Sequence, residues 1–406
     1  MNTHASPGDA LSRRQKLVYV LVLGLLTALG PFTIDLYLPA FPIIKSEFGV
    51  TATAVQLTLA ATTIGFAAGQ LIVGPFSDKF GRRMPLILAT AVHVAASVGA
   101  AMSTDITMLG VFRVLQGIGA AGGGVVAMAM IRDLFGGYQL VRMLSRMSLV
   151  NGMAPILAPI IGSQLLGIMD WPGIFWFLAG YGFLVVAAAA FFIIETLPKD
   201  KRHSDGASVI SRYRTVFSDR IFVGTLLIGG LNFAALFTYL SASTFLFQTT
   251  YGFTPQEYGL LFAVNSLGVV TGVQVSSHIM RHTGSQWVMM GAMTGQLVSA
   301  ALMIVFDQLN LGLWGVMVPL WFFIMSTGFM FPAVQVQALI RHGKQAGTAA
   351  SLLGAATFGF AGIITPIVGL VGVKTATPMA VIMGVSVLLG MASLWLIVRP
   401  RTVPKL

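Results

Sequence analysis

Unbroken apolar runs dominate the chain, each about as long as a bilayer is thick when wound as a helix, for which roughly 20 residues suffice. Twelve can be placed, over 17–41, 52–74, 84–103, 106–131, 143–168, 172–194, 221–248, 257–280, 287–306, 311–337, 347–371 and 377–398. In hydrocarbon every backbone N–H and C=O must bond within its own segment, so these runs predict helices. Only 9% of residues are charged. About a quarter is usual for a water-facing surface, so lipid is the solvent for most of this one. The expected fold class is an all-α membrane protein with twelve transmembrane helices. Arg13, Arg14 and Lys16 ahead of Leu17–Leu29 imitate a signal peptide, but the apolar run continues past Gly30 to Asp35, and an uncleaved first span is expected.

The spans fall into two sets of six. A cytoplasmic tail, 1–16, precedes a first bundle, 17–194; a hydrophilic linker, 195–220, leads to a second bundle, 221–398, and a tail, 399–406. Basic residues gather on one side: Arg13, Arg14, Lys16, Lys79, Arg82, Arg83, Arg132, Arg142, Arg146, Lys199, Lys201, Arg202, Arg212, Arg214, Arg220, Arg281, Arg341, Lys344, Arg399, Arg401 and Lys405. Lys45 and Lys374 lie on the other, and Arg113 lies within a span. That bias places both termini in the cytoplasm. The net charge of +11 is then a topology signal whose natural partners are anionic lipid head groups, with no nucleic acid implied.

Gly117-Ile118-Gly119-Ala120-Ala121-Gly122 has the spacing of a dinucleotide-binding loop. Such a loop needs a strand before it and an acid about 20 residues on. Here the glycines sit inside an apolar run with no acid at that distance, so they read as small residues for close helix packing. No cofactor is expected. No metal is expected either, since the chain has no cysteine and its 6 histidines are scattered. His93, in the third span, reads as a packing or interhelical hydrogen-bonding residue. Glu195, Glu257, Asp307 and Asp170 read as solvated residues at helix ends.

Two intramembrane charges stand out. Arg113 is about seven residues into its run, roughly 10 Å from one end, and Asp35 is roughly 27 Å from the opposite end of its own. They therefore share a depth. A charge inside a span normally faces a partner or a wet cavity and marks a functional site.

The connection after the second span reads "GPFSDKFGRRMP", with Gly74, Asp78, Gly81, Arg82 and Arg83. Its glycines suit a turn, Asp78 suits a helix N-terminus, and its basic residues suit the phosphate surface. In the second half, "SSHIMRHTGSQ" is degenerate, with Arg281 in the place of Asp78. "RVLQGIGAA" carries Arg113, Gln116 and Gly117; "TIDLYLPAFP" carries Asp35; "APIIGS" carries Pro159 and Gly162. Together these motifs resemble the major facilitator superfamily, and "LFTYLSASTFLFQTTYGFTPQEYGLLFAVNSLG" resembles its Bcr/CflA drug-resistance branch of twelve-span drug:proton antiporters.

The resemblance implies two pseudo-symmetric six-helix bundles that rock about a central site, with the first, fourth, seventh and tenth spans lining a cavity. Conformational residues would be Gly74, Asp78, Gly81, Arg82, Arg83, Gln116, Gly117, Pro159 and Gly162. Asp35 and Arg113 would couple transport to protons. Burial favours the neutral carboxyl and a nearby guanidinium the charged one, so a change in access loads and unloads it. Tyr37, Met147, Asn151, Asn232, Phe237, Tyr239 and Asn265 are candidate substrate contacts. Thr27 stands where related exporters can carry a second acid, which favours neutral or zwitterionic substrates.

The expected function is proton-coupled export of drugs or small lipophilic antibiotics across the bacterial cytoplasmic membrane, by a monomer whose partners are a small-molecule substrate, protons and membrane lipids. Transport of an endogenous metabolite by the same fold is the alternative. An enzyme is not expected, because no GxSxG, HExxH or catalytic dyad occurs.

Overall fold

In a computed structural model of the chain, residues 8, 11–199, 202, 209–342 and 345–403 are described. Lys201, Lys344 and Lys405, and parts of both tails and the linker, lie outside them. Among the described residues there are helices and turns but no strand. The first bundle contains α1 (Arg13–Asp35), α2 (Phe41–Glu47), α3 (Ala52–Phe80), α4 (Arg83–Ala101), α5 (Ile106–Leu134), α6 (Gly137–Leu165) and α7 (Pro172–Phe192). A short helix in the linker, α8 (Val209–Phe217), precedes α9 (Arg220–Phe245), α10 (Pro255–Thr283), α11 (Ser285–Gln308), α12 (Gly312–Leu339), α13 (Ala346–Val371) and α14 (Ala376–Ser393).

Eleven described helical stretches are long and apolar enough to cross a membrane, and α6 adds a shorter apolar part, Gly152–Leu165. Large apolar side chains such as Leu184, Phe191, Trp314 and Leu396 point outward, as lipid-facing residues do. Helix starts are set locally. Ser12 and Thr254 form capping boxes, and Thr51, Asp105 and Asp219 accept bonds from the first free N–H groups.

Packing repeats between the bundles. In the first, α3 meets α5, α4 meets α5 and α7, and α1 meets α6; in the second, α10 meets α12, α11 meets α12 and α14, and α9 meets α13. The turn glycines also match: Gly81 has φ +95° and Gly284 φ +89°, values that L side chains rarely adopt. The bundles meet along α3–α13 and α6–α10. Near the end opposite the basic turns, Gln56 Nε2 donates to the Ser241 carbonyl and Thr53 Oγ1 to the Gly369 carbonyl, both at 2.9 Å. There too Gln248 donates to the Pro39 carbonyl at 3.1 Å and Gln256 to that of Ser163 at 2.9 Å. Four hydrogen bonds thus join the bundles at that end, and one more, from Ser351 Oγ to the Gln70 carbonyl at 2.6 Å, joins α13 to α3 nearer the basic turns.

Three expectations need correction. The first span is not one helix to residue 41: α1 stops at Asp35, a 3₁₀ turn covers Leu38–Ala40, and α2 follows. Pro39, lacking an N–H, and Pro42 explain the break. The second span runs to Phe80, so Asp78 lies in the last turn of α3 rather than at a helix N-terminus, and Gly74 lies within that helix. Glu195 is not a freely solvated cap, as its partners below show.

Candidate functional site

The break after Asp35 places its carboxyl where both bundles meet. Asp35 is buried, at 5% exposure, and is the one buried acid among the described residues. The Leu38–Ala40 turn that follows it packs against α6, α9 and α10, and the hydroxyls of Tyr239 in α9 and Tyr258 in α10 lie within electrostatic reach of its carboxyl. The carboxyl has no hydrogen bond or ion pair with any described residue. Gly162 of α6 permits this arrangement, for a Cβ there would lie 1.9 Å from the Leu36 carbonyl oxygen. The "APIIGS" motif thus supplies the close approach that seats the break, while the Pro159 carbonyl abuts Gly259 of the second bundle.

Arg113 in α5 is fully buried. Its Nη2 donates to the Thr33 carbonyl at 2.9 Å and its Nη1 to Gln116 Oε1 at 2.5 Å, and the guanidinium lies 3.9 Å from the centre of the Tyr37 ring. Phe175 of α7 is 5.6 Å away on the same cation. Gln116 passes the network on, donating to Ser97 Oγ at 2.7 Å. The two charges share a depth, yet Arg113 is held by a carbonyl, an amide and an aromatic face, and forms no ion pair with Asp35. Sequence reasoning found both residues but missed the partner of Arg113, because a backbone carbonyl leaves no trace in residue identity.

Gly117 lets α5 touch α3: its Cβ would stand 2.2 Å from the Thr62 carbonyl oxygen, and one at Gly65 would stand 2.1 Å from that of Val114. The glycines are packing residues, as their apolar setting predicts.

The candidate substrate contacts divide. Tyr37, Phe237, Tyr239 and Asn265 are buried in one continuous core or beside it, with Asn265 Nδ2 donating to the Tyr239 hydroxyl at 3.1 Å and Tyr37 donating to Thr58 Oγ1 at 3.3 Å. Met147 lies elsewhere, packed with Tyr19, Leu23, Ile131 and Met143 inside the first bundle. Asn232 is already engaged, its Oδ1 accepting from Gln296 Nε2 at 2.9 Å. The backbone of Asn151 is in α6; its side chain lies outside those described.

At the basic end, Arg82 is a buried hub rather than a surface cation. It meets Asp78 at 2.5 Å, Asp133 of α5 at 2.9 Å and Ser77 Oγ at 2.8 Å. Burial opposes its charge, but the two carboxylates prevail and hold its pKa above the ordinary arginine value. Gly81 has no side chain to exclude Glu195, which accepts from the Arg82 N–H at 2.8 Å and pairs with Arg202 at 3.6 Å. Partial burial pushes the Glu195 carboxyl up. The N–H groups of Arg82, Leu197 and Arg83, with Arg202, outweigh this and hold it below the ordinary carboxylate value. Arg83 donates to the Ala190 carbonyl at 2.6 Å. The motif thus ties α3, α5 and the end of α7 together.

Paired helical bundles that cross a membrane, with a buried acid at their meeting point and a charged hub at one end, define a polytopic transporter rather than an enzyme. The sequence pattern of the Major Facilitator Superfamily matches residues 23–366, and the chain belongs to that superfamily. It is 32% identical to an uncharacterized MFS-type transporter, YdgK, of Bacillus subtilis, over 96% of this chain and 97% of that one. It is 31% identical to a bicyclomycin resistance protein homolog of Haemophilus influenzae, over 93% and 95%. Its fold matches the partially occluded inward-open conformation of the xylose transporter XylE from E. coli with a TM-score of 0.74, at 12% identity and with 96% and 98% of the two chains covered.

Proposed function

We propose that this transporter exports drugs or small lipophilic antibiotics across the bacterial cytoplasmic membrane in exchange for protons, with both termini in the cytoplasm. The observation that carries the reading is Asp35, a buried acid at the junction of the bundles with no bonded partner among the described residues. Unlike a structural ion pair, such a carboxyl is free to exchange a proton. More hydrogen bonds join the bundles at the end opposite the basic turns than at the basic end, which supports a conformation closed on the far side. Rocking of the segments 17–194 and 221–398 would break them and expose Asp35 to the other side. Moving one charge through 100 mV supplies about 2.3 kcal/mol, enough to drive uphill export.

Tyr37, Phe237, Tyr239 and Asn265 are the substrate contacts we retain: an aromatic surface with few hydrogen-bonding groups suits lipophilic compounds of varied shape. The bicyclomycin resistance relative supports the drug class. The test is a susceptibility panel of phenicols, bicyclomycin, fluoroquinolones, tetracyclines and lipophilic cations in an efflux-deficient bacterium expressing the native chain. Resistance to at least one class is expected. No resistance at matched expression would refute drug export and favour an endogenous metabolite.

A further inference from the structure

His93 has no part in the proton cycle proposed above, yet it sits against the residues that carry it. It lies within α4, fully buried, with Nε2 2.8 Å from Thr33 Oγ1. The Thr33 hydroxyl has a single proton and gives it to the Leu29 carbonyl at 2.6 Å. The bond must then run from the imidazole Nε2–H to Oγ1, which assigns the neutral tautomer from the network. Nδ1 is left as a bare acceptor facing Gly182 of α7, without a partner among the described residues. Thr33 also supplies the carbonyl that holds Arg113 at 2.9 Å, and it stands two positions before Asp35. One threonine is therefore gripped twice, by an imidazole on its side chain and a guanidinium on its backbone.

The second bundle contains a comparable joint with no guanidinium beside it. Gln296 of α11 follows Gly284 at the interval by which His93 of α4 follows Gly81, and α11 occupies the matching place in its bundle. Its Nε2 donates to Asn232 Oδ1 of α9 and to Thr327 Oγ1 of α12, both at 2.9 Å. A glutamine meets the packing requirement of such a joint. The bundle that carries Asp35 uses an imidazole instead.

Deepening the assignment of Asp35 as the proton site, on which it rests, we propose that His93 is a positioning residue for proton exchange: by fixing Thr33 it keeps Arg113 on the Thr33 carbonyl and off the Asp35 carboxyl. The ionisable groups around the pair are few. Arg113 comes from α5, Tyr239 from α9, Tyr258 from α10 and Tyr37 from the turn after α1; α6 approaches with Gly162, and α7 with Gly182 and with Tyr181, whose ring lies 5.4 Å from that of Phe32 and whose hydroxyl donates to the Leu25 carbonyl at 2.7 Å. Rocking of the bundles would move Thr33 with α1, release Arg113 toward Asp35 and expel the proton.

The test is an infrared titration of the protonated-carboxyl band in purified protein in lipid nanodiscs, the Asp35 band being assigned by its loss in Asp35→Asn. His93→Phe and Thr33→Val each undo the grip on Thr33. A guanidinium settling beside a carboxyl lowers its midpoint by about 1–3 pH units, so both variants are expected to titrate at least about one unit lower than wild type. His93→Gln restores a donor of the kind Gln296 provides and is expected to titrate at the wild-type midpoint. A midpoint unmoved in Thr33→Val, or shifted as far in His93→Gln as in His93→Phe, overturns the role of His93. If His93→Phe does not fold, Thr33→Val decides alone. Failure of the underlying reading looks different: proton-coupled transport would survive Asp35→Asn in vesicles whatever the band does.

Discussion

Gly162→Ala tests whether the seat of Asp35 depends on helix contact rather than on the motif as such. The added methyl would lie 1.9 Å from the Leu36 carbonyl oxygen and 2.9 Å from its carbon, where ordinary contact begins at 3.4 Å. The end of α1 must then withdraw from α6 by about 1.5 Å, because a backbone carbonyl cannot turn aside as a flexible side chain can. Overpacking of this kind costs about 1–3 kcal/mol, and the rigid obstacle points to the upper part of that range. A loss of about 2 kcal/mol lowers the folded-to-unfolded ratio by roughly 30-fold. Gly180→Ala in α7 is the control, since nothing lies within 4 Å of its Cβ position, and alanine there gains about 0.5–1 kcal/mol of helix propensity. The assay is thermal unfolding in nanodiscs followed by tryptophan fluorescence, with drug efflux from cells measured in parallel. Gly162→Ala is expected to melt several degrees below wild type and to lose efflux, because Asp35 moves with Leu36. Melting at or above the Gly180→Ala control would refute the reasoning.

Two further outcomes follow from the polar contacts. The Glu195 carboxyl is held below its ordinary pKa, so its contribution to stability is present above the ordinary carboxylate value of about 4 and is lost as the pH falls through the lowered folded value. The melting temperature should fall in that acid range, and Glu195→Gln should flatten the fall while costing about 1 kcal/mol at neutral pH, a modest figure because the site is partly exposed. Gln296→Leu should cost about 1–3 kcal/mol by stranding Asn232 and Thr327, and should leave the relative resistance to different drugs unchanged; a changed drug spectrum would return Asn232 to the substrate site.

What the sequence made legible follows the strength of each physical constraint. A charge in hydrocarbon is so costly that Asp35 and Arg113 announce themselves, and apolar runs of bilayer length announce the helices around them. The turn glycine Gly81 was legible because the motif spacing marks it. Contacts that depend on the backbone were not. The Thr33 carbonyl that holds Arg113, and the N–H groups that draw Glu195 into the basic end, belong to positions whose side chains say nothing about them. The break after Asp35 was written in Pro39 and Pro42, but the apolar run to residue 41 hid it, since hydropathy does not register a missing N–H. Which face a helix turns inward was not legible either: Met147 packs within the first bundle and Asn232 bonds Gln296, because the rotation of α6 and α9 is set by packing that hydropathy does not record.

Asp35 carries the account, and the most direct measurement is substrate-driven proton movement in inverted membrane vesicles. The native chain is compared with Asp35→Asn at matched expression, using whichever drug the native chain exports. The native protein is expected to release protons from the lumen into the medium as drug enters the lumen, with a rate that depends on pH, while Asp35→Asn gives neither proton movement nor accumulation against a gradient. Undiminished proton-coupled transport by Asp35→Asn would contradict the central claim and move the proton site elsewhere in the chain.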